Sequence, residues 1–503
     1  MDSPEFDVIV VGAGNAALCA ALSAREHGAS VVVLECAPEA EAGGNSRFAG
    51  GVMRFAFDGV DDLRKVADLT DEEIAGADFG TYTRAQYFDD LFRLTQYRTD
   101  PTLVELLVTR SLDTMIWLRG QGARFVPIYG RQAGKVGGRW KFFGGLPIEA
   151  SGGGAGLVQS LTAAAGRQGI EILHETRALS LLWDGMRVHG VRVRSGGKLR
   201  DLTARAVVLA CGGFEANAEW RTRYLGPGWE LAKVRGTRFN TGEGLRMALD
   251  IGASPFGNWS GAHACGWDRN APEFGELAIG DQFEKHSYPL GILVNADGRR
   301  FVDEGADFHS FTYAKYGRAV LEQPGQFAWQ VFDSKVLHLL RPEYGISRVT
   351  KVRAQTLEEL AAKLEDVNAE GFLRTVRAFN AAVRSDLPFD PYTRDGRGTV
   401  DLEPAKSNWA NPIDQPPFEA YATTCGITFT FGGLRVDGDA QVLDHDAAKI
   451  AGLYAAGEMV GGIFYFNYPS GAGLVSGAVF GRLAGTAAAR SRGLNHSPQE
   501  GMP

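Results

Sequence analysis

Residues Phe6 to Glu35 read FDVIVVGAGNAALCAALSAREHGASVVVLE. An apolar β-branched run gives way to a glycine turn, an alanine-rich stretch, a stop at Gly28 and a second β-branched run, so the segment predicts one βαβ unit. Gly12-Ala-Gly14-Asn15-Ala16-Ala17 falls between strand and helix, the setting that a dinucleotide fingerprint requires. Gly12 allows the tight turn, Gly14 lets a pyrophosphate approach the backbone, and Ala17 keeps the helix close to the sheet. Free N–H groups at the turn, which includes Asn15 and Ala16, then hold the anion together with the helix dipole. Glu35 ends the second strand about 20 residues further on, where a carboxylate accepts hydrogen bonds from ribose hydroxyls and repels a 2′-phosphate.

Working outward, three distant segments share the same character. Gly43-Gly44-Asn45-Ser46, with Gly50-Gly51, offers closely spaced backbone donors just past Glu35. Cys211-Gly212-Gly213 follows Ala210 at the end of an apolar strand, and Ala455-Ala456-Gly457-Glu458 ends another. Ligands of open α/β sheets bind at the carboxyl ends of strands, so these segments predict one extended dinucleotide site, and FAD as its occupant. Ala178, on the strand-like stretch EILHETRALSLLW, is expected among the same contacts.

Composition narrows the function classes. With 503 residues, 45% apolar, the chain can bury one large core or two unequal domains. Its net charge of −8 gives no basic field to hold nucleic acid, and small-molecule chemistry is the better expectation. No basic n-region precedes the short apolar run at Val8, which predicts a cytoplasmic protein without membrane insertion. Cys19, Cys36, Cys211, Cys265 and Cys425 are scattered without metal or cluster spacing, so no metal is expected and inert thiols are.

Asp58 to Arg124 predicts structural helices, among them Pro101 to Arg119. Gly130 to Gly156 reads as a long loop over a pocket, with Arg131, Lys135, Arg139 and Lys141 in it. Gly169 to Cys211 alternates short strands with turns, a small sheet returning to the dinucleotide core. From about Ser260 to Ala420 aromatics and charges rise and helical patterns such as Thr356 to Val383 appear, which predicts an inserted second domain. The expected organisation is residues 1–259 and 421–503 for a discontinuous Rossmann-like FAD-binding domain, with 260–420 inserted, in an α/β fold.

The ordered set DVIVVGAGNAALCAAL, GGNSRFAGG, VVLACGGFEAN, TGEGLRMALDIGA, GILVNADGRRFVDEGADF and GLYAAGEMVGG resembles the fumarate reductase and succinate dehydrogenase flavoprotein superfamily, nearest to tricarballylate dehydrogenase-like members. The resemblance spans almost the whole chain. It implies that the insertion is an α+β capping domain that traps substrate against the flavin. It implies that the turn at Gly242 and Glu243 packs beside the flavin. It also puts Ser470 and Ala472-Gly473-Leu474 at the pyrimidine end, where a helix N-terminus stabilises negative charge. Succinate dehydrogenases attach FAD through a histidine near the double glycine; Arg47 and Phe48 stand there here, so non-covalent FAD is expected.

Moving hydrogen across a C–C bond needs hydride exchange with the flavin, an acid or base for the α-proton, and donors for charge developing on the carbonyl. The chain departs from the fumarate reductase pattern at these points. Phe308 stands at the spacing of the proton-donating arginine, Tyr468 replaces a carboxylate-binding arginine, Phe429 replaces a histidine, and Ser287 replaces another arginine. Tyr468-Pro469 resembles ketosteroid dehydrogenases, in which a tyrosine donates to a ketone oxygen, worth about 2–4 kcal/mol. His263 matches a substrate-binding histidine, Glu284 matches a participating glutamate, and His309 or His286 is the expected acid/base.

These residues predict an FAD-dependent dehydrogenase that desaturates a small carboxylic acid or ketone α,β to its carbonyl and passes electrons to a separate acceptor. Lys285, Arg131, Lys135 and Arg139 are the expected cations for a substrate carboxylate. The runner-up is a cyclic-ketone desaturase of ketosteroid type, and a further alternative is a flavin-holding subunit of a larger electron-transfer complex.

Overall fold

The computed structural model describes residues 4–491; residues 492–503, part of the segment assigned to the second stretch of the cofactor domain, lie outside the described residues. The predicted βαβ unit is present as β1 (Phe6–Val11), α1 (Asn15–Glu26) and β2 (Val31–Leu34). β1 is central because it is apolar on both faces: it pairs in parallel with β2 on one side (Val8 with Val31, Val11 with Leu34) and with Lys198–Leu209 on the other. Glu171–Leu173 extends the sheet beyond β2, and Lys449–Ala455 extends it beyond Lys198–Leu209. The carboxyl ends of β1, Lys198–Leu209 and Lys449–Ala455 thus lie side by side, which brings Gly12, Cys211 and Gly457 to one edge across long stretches of chain.

The second large sheet is built on two long antiparallel strands, β3 (Pro255–Asp268) and β4 (Phe418–Leu434), joined by Phe327–Phe332, Ile292–Val294, Lys351–Ala354 and Lys233–Val234. Residues 260 and 420 each fall inside one of these long strands. The β3–β4 register breaks between Asn258 and Ala262 and again after His263, so His263 sits at an irregularity rather than in regular pairing. A separate apolar cluster that includes Ile292, Trp329, Phe372 and Val376 gives this part its own core.

The last helix, α2 (Ala472–Arg490), lies along α1: Asn15 Nδ2 donates to the Leu474 carbonyl at 2.7 Å, and the Ser23 and Thr486 hydroxyls meet at 2.9 Å. It is long and apolar enough by length and composition to cross a membrane, with 67% of its apolar window buried in the protein.

One expectation about local structure needs correction and another is refined. Gly130 to Gly156 is not a loop but a hairpin, Ala133–Val136 with Arg139–Phe142, followed by the strand Ile148–Ala150. Its two-residue turn is Gly137-Gly138 at φ 57° and 84°, the left-handed pair that a tight hairpin demands. The pattern from Thr356 to Val383 is two helices, Leu357–Lys363 and Ala369–Ala382, separated where Asp366 takes φ 60°.

Candidate active site

One continuous cavity begins at the edge of the first sheet and ends under the second. At its first end, Gly12 has φ 105°, and a Cβ there would come 2.5 Å from the Ala210 carbonyl oxygen, so the turn closes directly on the neighbouring strand. Gly14 caps α1 without any side-chain hydrogen bond, and Gly471 caps α2 in the same bare manner. Two helix N-termini therefore open into this cavity with their dipoles toward it. Glu35 is buried; its oxygens accept from Ala13 N at 3.0 Å and Ala37 N at 2.8 Å, which fixes the carboxylate at the rim of the turn.

Most of the expected cofactor residues line the cavity: Gly12, Gly14, Asn15, Ala16 and Glu35 from the first unit, then Gly44, Asn45, Ser46, Gly50 and Gly51. Ala178, Ala210, Gly212, Glu243, Gly457, Glu458, Ser470, Gly473 and Leu474 complete the wall. Gly43, Gly213, Gly242 and Ala472 lie one residue back from it and shape the turns. Glu243 is held by Arg177 and the Thr241 hydroxyl. Asn45 ties the cofactor turn to the second sheet: its Oδ1 accepts from Thr237 N at 2.8 Å and its Nδ2 donates to Thr428 O at 2.5 Å. Bare helix ends, glycine turns without room for a Cβ, and a carboxylate at the rim fit an adenine dinucleotide flavin.

Sequence reasoning passed over Glu215 here. It is fully buried, its Oε1 accepts from Asn45 and Asn240 at 2.6 Å each, and burial next to the Glu458 carboxyl pushes its pKa well up. An acid just past the glycine pair that follows an apolar strand was the available signal.

At the other end, Tyr313 and Tyr468 place their hydroxyls 2.7 Å apart, and Gly471 N lies 3.3 Å from the Tyr468 oxygen. Phe429 and Phe464 stand edge-on to Tyr468, each at 5.3 Å between centroids, and make the wall apolar. Burial raises the pKa of both tyrosines, so each hydroxyl keeps its proton and can donate. His263 does not line the cavity: it stacks behind Phe429 at 5.2 Å and meets Tyr468 edge-on at 4.9 Å, with neither ring nitrogen partnered among the described residues.

The two remaining histidines differ. His286 Nδ1 lies 3.3 Å from Glu284 Oε1, so the N–H points at the carboxylate and the lone pair sits on Nε2, which has no partner among the described residues. His309 Nε2 faces two donors, Arg341 Nη1 at 2.6 Å and Gln132 Nε2 at 3.2 Å, and its lone pair is taken. Burial and then the nearby arginines push the pKa of both far down, so both imidazoles are neutral at pH 7. Glu284 also accepts from Arg235 Nη2 at 3.1 Å and lies 3.7 Å from Arg341 Nη2.

Of the four expected cations, Arg131 is at the cavity and the other three are not. Arg131 lines the cavity and pairs with Asp281 at 2.9 Å, but Lys285 is fully buried against Asp268 and the Phe283 carbonyl. Lys135 packs over Trp140 and Arg139 donates to the Ala77 carbonyl, both in the hairpin and away from the wall. Arg235 and Arg341 line it instead. Phe308 stacks on Phe143 at 5.5 Å, outside the cavity. Ser287, in the place of an arginine, accepts from Arg341 N at 3.1 Å, so the guanidinium arrives from residue 341.

Comparison with known proteins agrees with this geometry. The family described as FAD binding domain matches residues 7–475. The chain is 30% identical to a fumarate reductase (cytochrome) of Shewanella frigidimarina, over 96% of this chain and 77% of that one. It is 31% identical to the 4-oxocyclohexanecarboxylate 2-dehydrogenase of Sinomonas cyclohexanicum, over 95% and 92%. Among solved structures it is similar to the open conformation of a flavocytochrome c3 fumarate reductase, with TM-score 0.72 and 27% identity over 97% of this chain and 79% of that one. The 3-ketosteroid Δ1-dehydrogenase of Sterolibacterium denitrificans shares the fold at TM-score 0.72 and 23% identity, covering 97% and 99%. Fingerprint, bare helix ends and matched family together show that this chain belongs to the FAD binding domain family and is an FAD-dependent oxidoreductase of the fumarate reductase type that acts on CH–CH bonds.

Proposed function

We propose that the protein desaturates a small keto acid at the carbons α,β to its ketone. The observation that carries this reading is the Tyr313–Tyr468 hydroxyl pair at 2.7 Å, in the same cavity as the unpartnered Nε2 of His286. A proton alpha to a carbonyl leaves readily only if the oxygen that gains charge is met by donors in a site without bulk water. Tyr468 is that donor, Tyr313 orients its hydroxyl, and the Phe429 and Phe464 rings exclude water. His286 Nε2 takes the α-proton while Glu284 holds the opposite N–H in place. FAD held by the glycine turns and the two bare helix N-termini would supply the acceptor for the β-hydrogen as hydride, so that the two hydrogens lost are balanced.

Arg341 and Arg235 line the same cavity around Glu284 and suit a carboxylate on the substrate, which favours a keto acid over a steroid. A separate electron acceptor reoxidises the flavin in this reading. The setting is cytoplasmic, in keeping with five cysteines that stay unpaired.

The test is anaerobic mixing of the oxidised holoenzyme with 4-oxocyclohexanecarboxylate, cyclohexanone and succinate, followed by flavin absorbance. Bleaching by the keto acid well ahead of the other two is expected. Equal bleaching by cyclohexanone would remove the carboxylate from the reading, and bleaching by succinate alone would remove the ketone.

A further inference from the structure

Arg54 is fully buried and carries a charge with no carboxylate opposite it among the described residues. Its guanidinium lies between the rings of Tyr82 and Phe311, 4.8 and 5.0 Å from their centroids, and neither Nη1 nor Nη2 finds a hydrogen-bond acceptor among the described residues. Asp90, the acid of this neighbourhood, is engaged by the Tyr82 hydroxyl at 2.7 Å and by Arg93 at 2.9 Å. Burying an unpaired charge is costly, and cation–π contact recovers part of that cost. Methionine or leucine would pack the same space without it.

What Arg54 does touch is the turn that carries Tyr468. Arg54 Nε donates to the Ser470 carbonyl at 2.7 Å, and Arg54 N donates to the Gly471 carbonyl at 3.1 Å. Two bonds from one residue thus fasten Tyr468-Pro-Ser-Gly471 from beneath, directly ahead of the bare N-terminus of α2.

We propose that Arg54 is a positioning residue for the reaction: it fixes the turn that aims the Tyr468 hydroxyl, and its unneutralised charge makes that hydroxyl a stronger donor to the substrate oxygen. The proposal rests on the reading that Tyr468 meets the carbonyl. The groups around Tyr468 are the Tyr313 hydroxyl, the Gly471 N–H, Arg235, His263 and Tyr87; Arg235 is paired with Glu284 and His263 is neutral, so Arg54 is the cation of this set with no acid beside it.

The test uses holoenzyme with 3,5-difluorotyrosine at position 468, whose fluorines make the phenol more acidic and so offset the upward pull of burial, and its ionisation is followed by ultraviolet absorbance without any substrate. Arg54→Met is expected to shift that ionisation upward by on the order of one pH unit, and Arg54→Lys, which keeps the charge, much less. In turnover, Arg54→Met lowers kcat by about tenfold with KM little changed, and Arg54→Lys recovers part of the loss. If the methionine variant does not fold, Arg54→Gln removes the same charge while keeping a donor for the Ser470 carbonyl, and the same shift is expected. Neutral variants that bind FAD and leave the ionisation where the parent has it overturn the proposal. A shift that persists while Tyr468→Phe turns over normally faults the role of Tyr468 instead.

Discussion

The hydroxyls of Tyr313 and Tyr468 meet at 2.7 Å although the residues stand 155 positions apart, one at the start of a helix against the capping sheet and the other beside the N-terminus of α2. A donor supported by a second hydroxyl and by Gly471 N is held in place before substrate arrives. Tyr468→Phe is therefore expected to lower kcat by about 10²–10³-fold with FAD content unchanged, and Tyr313→Phe to cause a smaller loss. Steady-state rates beside the flavin-to-protein absorbance ratio check this.

The base should remain active below the usual range of histidine. Burial and the charges of Arg341 and Arg235 depress the pKa of His286, so its neutral form persists as pH falls below 6.5 and is lost only on passing the lower folded value. The profile of kcat/KM is expected to stay flat from neutral pH to below 6.5 before its acid limb, and Arg341→Met to move that limb upward. A limb at or above 6.5 in the parent enzyme would count against His286. The same sign governs stability: His263, His286 and His309 bind fewer protons folded than unfolded, so the thermal midpoint should fall as pH drops below 6.5.

In the proposed reading a substrate carboxylate meets the Arg341 guanidinium, which the serine at 287 helps to place. Arg341→Met should raise KM for a carboxylated substrate by about 30-fold, corresponding to ~2 kcal/mol, and leave a neutral ketone analogue nearly unaffected. Ser287→Ala, which deprives Arg341 N of its acceptor, should act in the same direction and less strongly. Equal effects on acid and ketone would show that Arg341 merely supports the fold.

The cofactor turn tolerates no side chain at Gly12. Gly12→Ala places a methyl group against the Ala210 carbonyl in a left-handed backbone, and the purified variant is expected to be colourless. In the parent protein, acid precipitation should leave all flavin absorbance in the supernatant, since Arg47 and Phe48 stand near the double glycine. Yellow colour retained in the pellet would contradict non-covalent binding.

The cofactor half was legible because its signals are local. Gly12, Gly14 and Glu35 sit at fixed offsets within one βαβ unit, and strand ends such as Cys211 and Gly457 announce themselves by glycine after an apolar run. The substrate half was less legible because it is assembled from distant segments. Arg341 carries no motif of its own and comes into view through Ser287, a residue noted for what it lacked. Lys285 was misassigned because extended chain points neighbours to opposite sides: Glu284 and His286 face the cavity, while Lys285 turns inward to Asp268. The hairpin at Ala133 was hidden by reading Gly137-Gly138 as looseness rather than as a tight turn.

The central claim is most directly tested by one anaerobic turnover of 4-oxocyclohexanecarboxylate deuterated at the α and β carbons, with flavin absorbance and product mass read together. The account predicts one flavin reduced for each molecule that loses two hydrogens from adjacent carbons, with the β-deuterium slowing the bleaching. A flavin that stays oxidised, or a flavin that is reduced while the recovered acid keeps its β-deuterium and its mass, would contradict it.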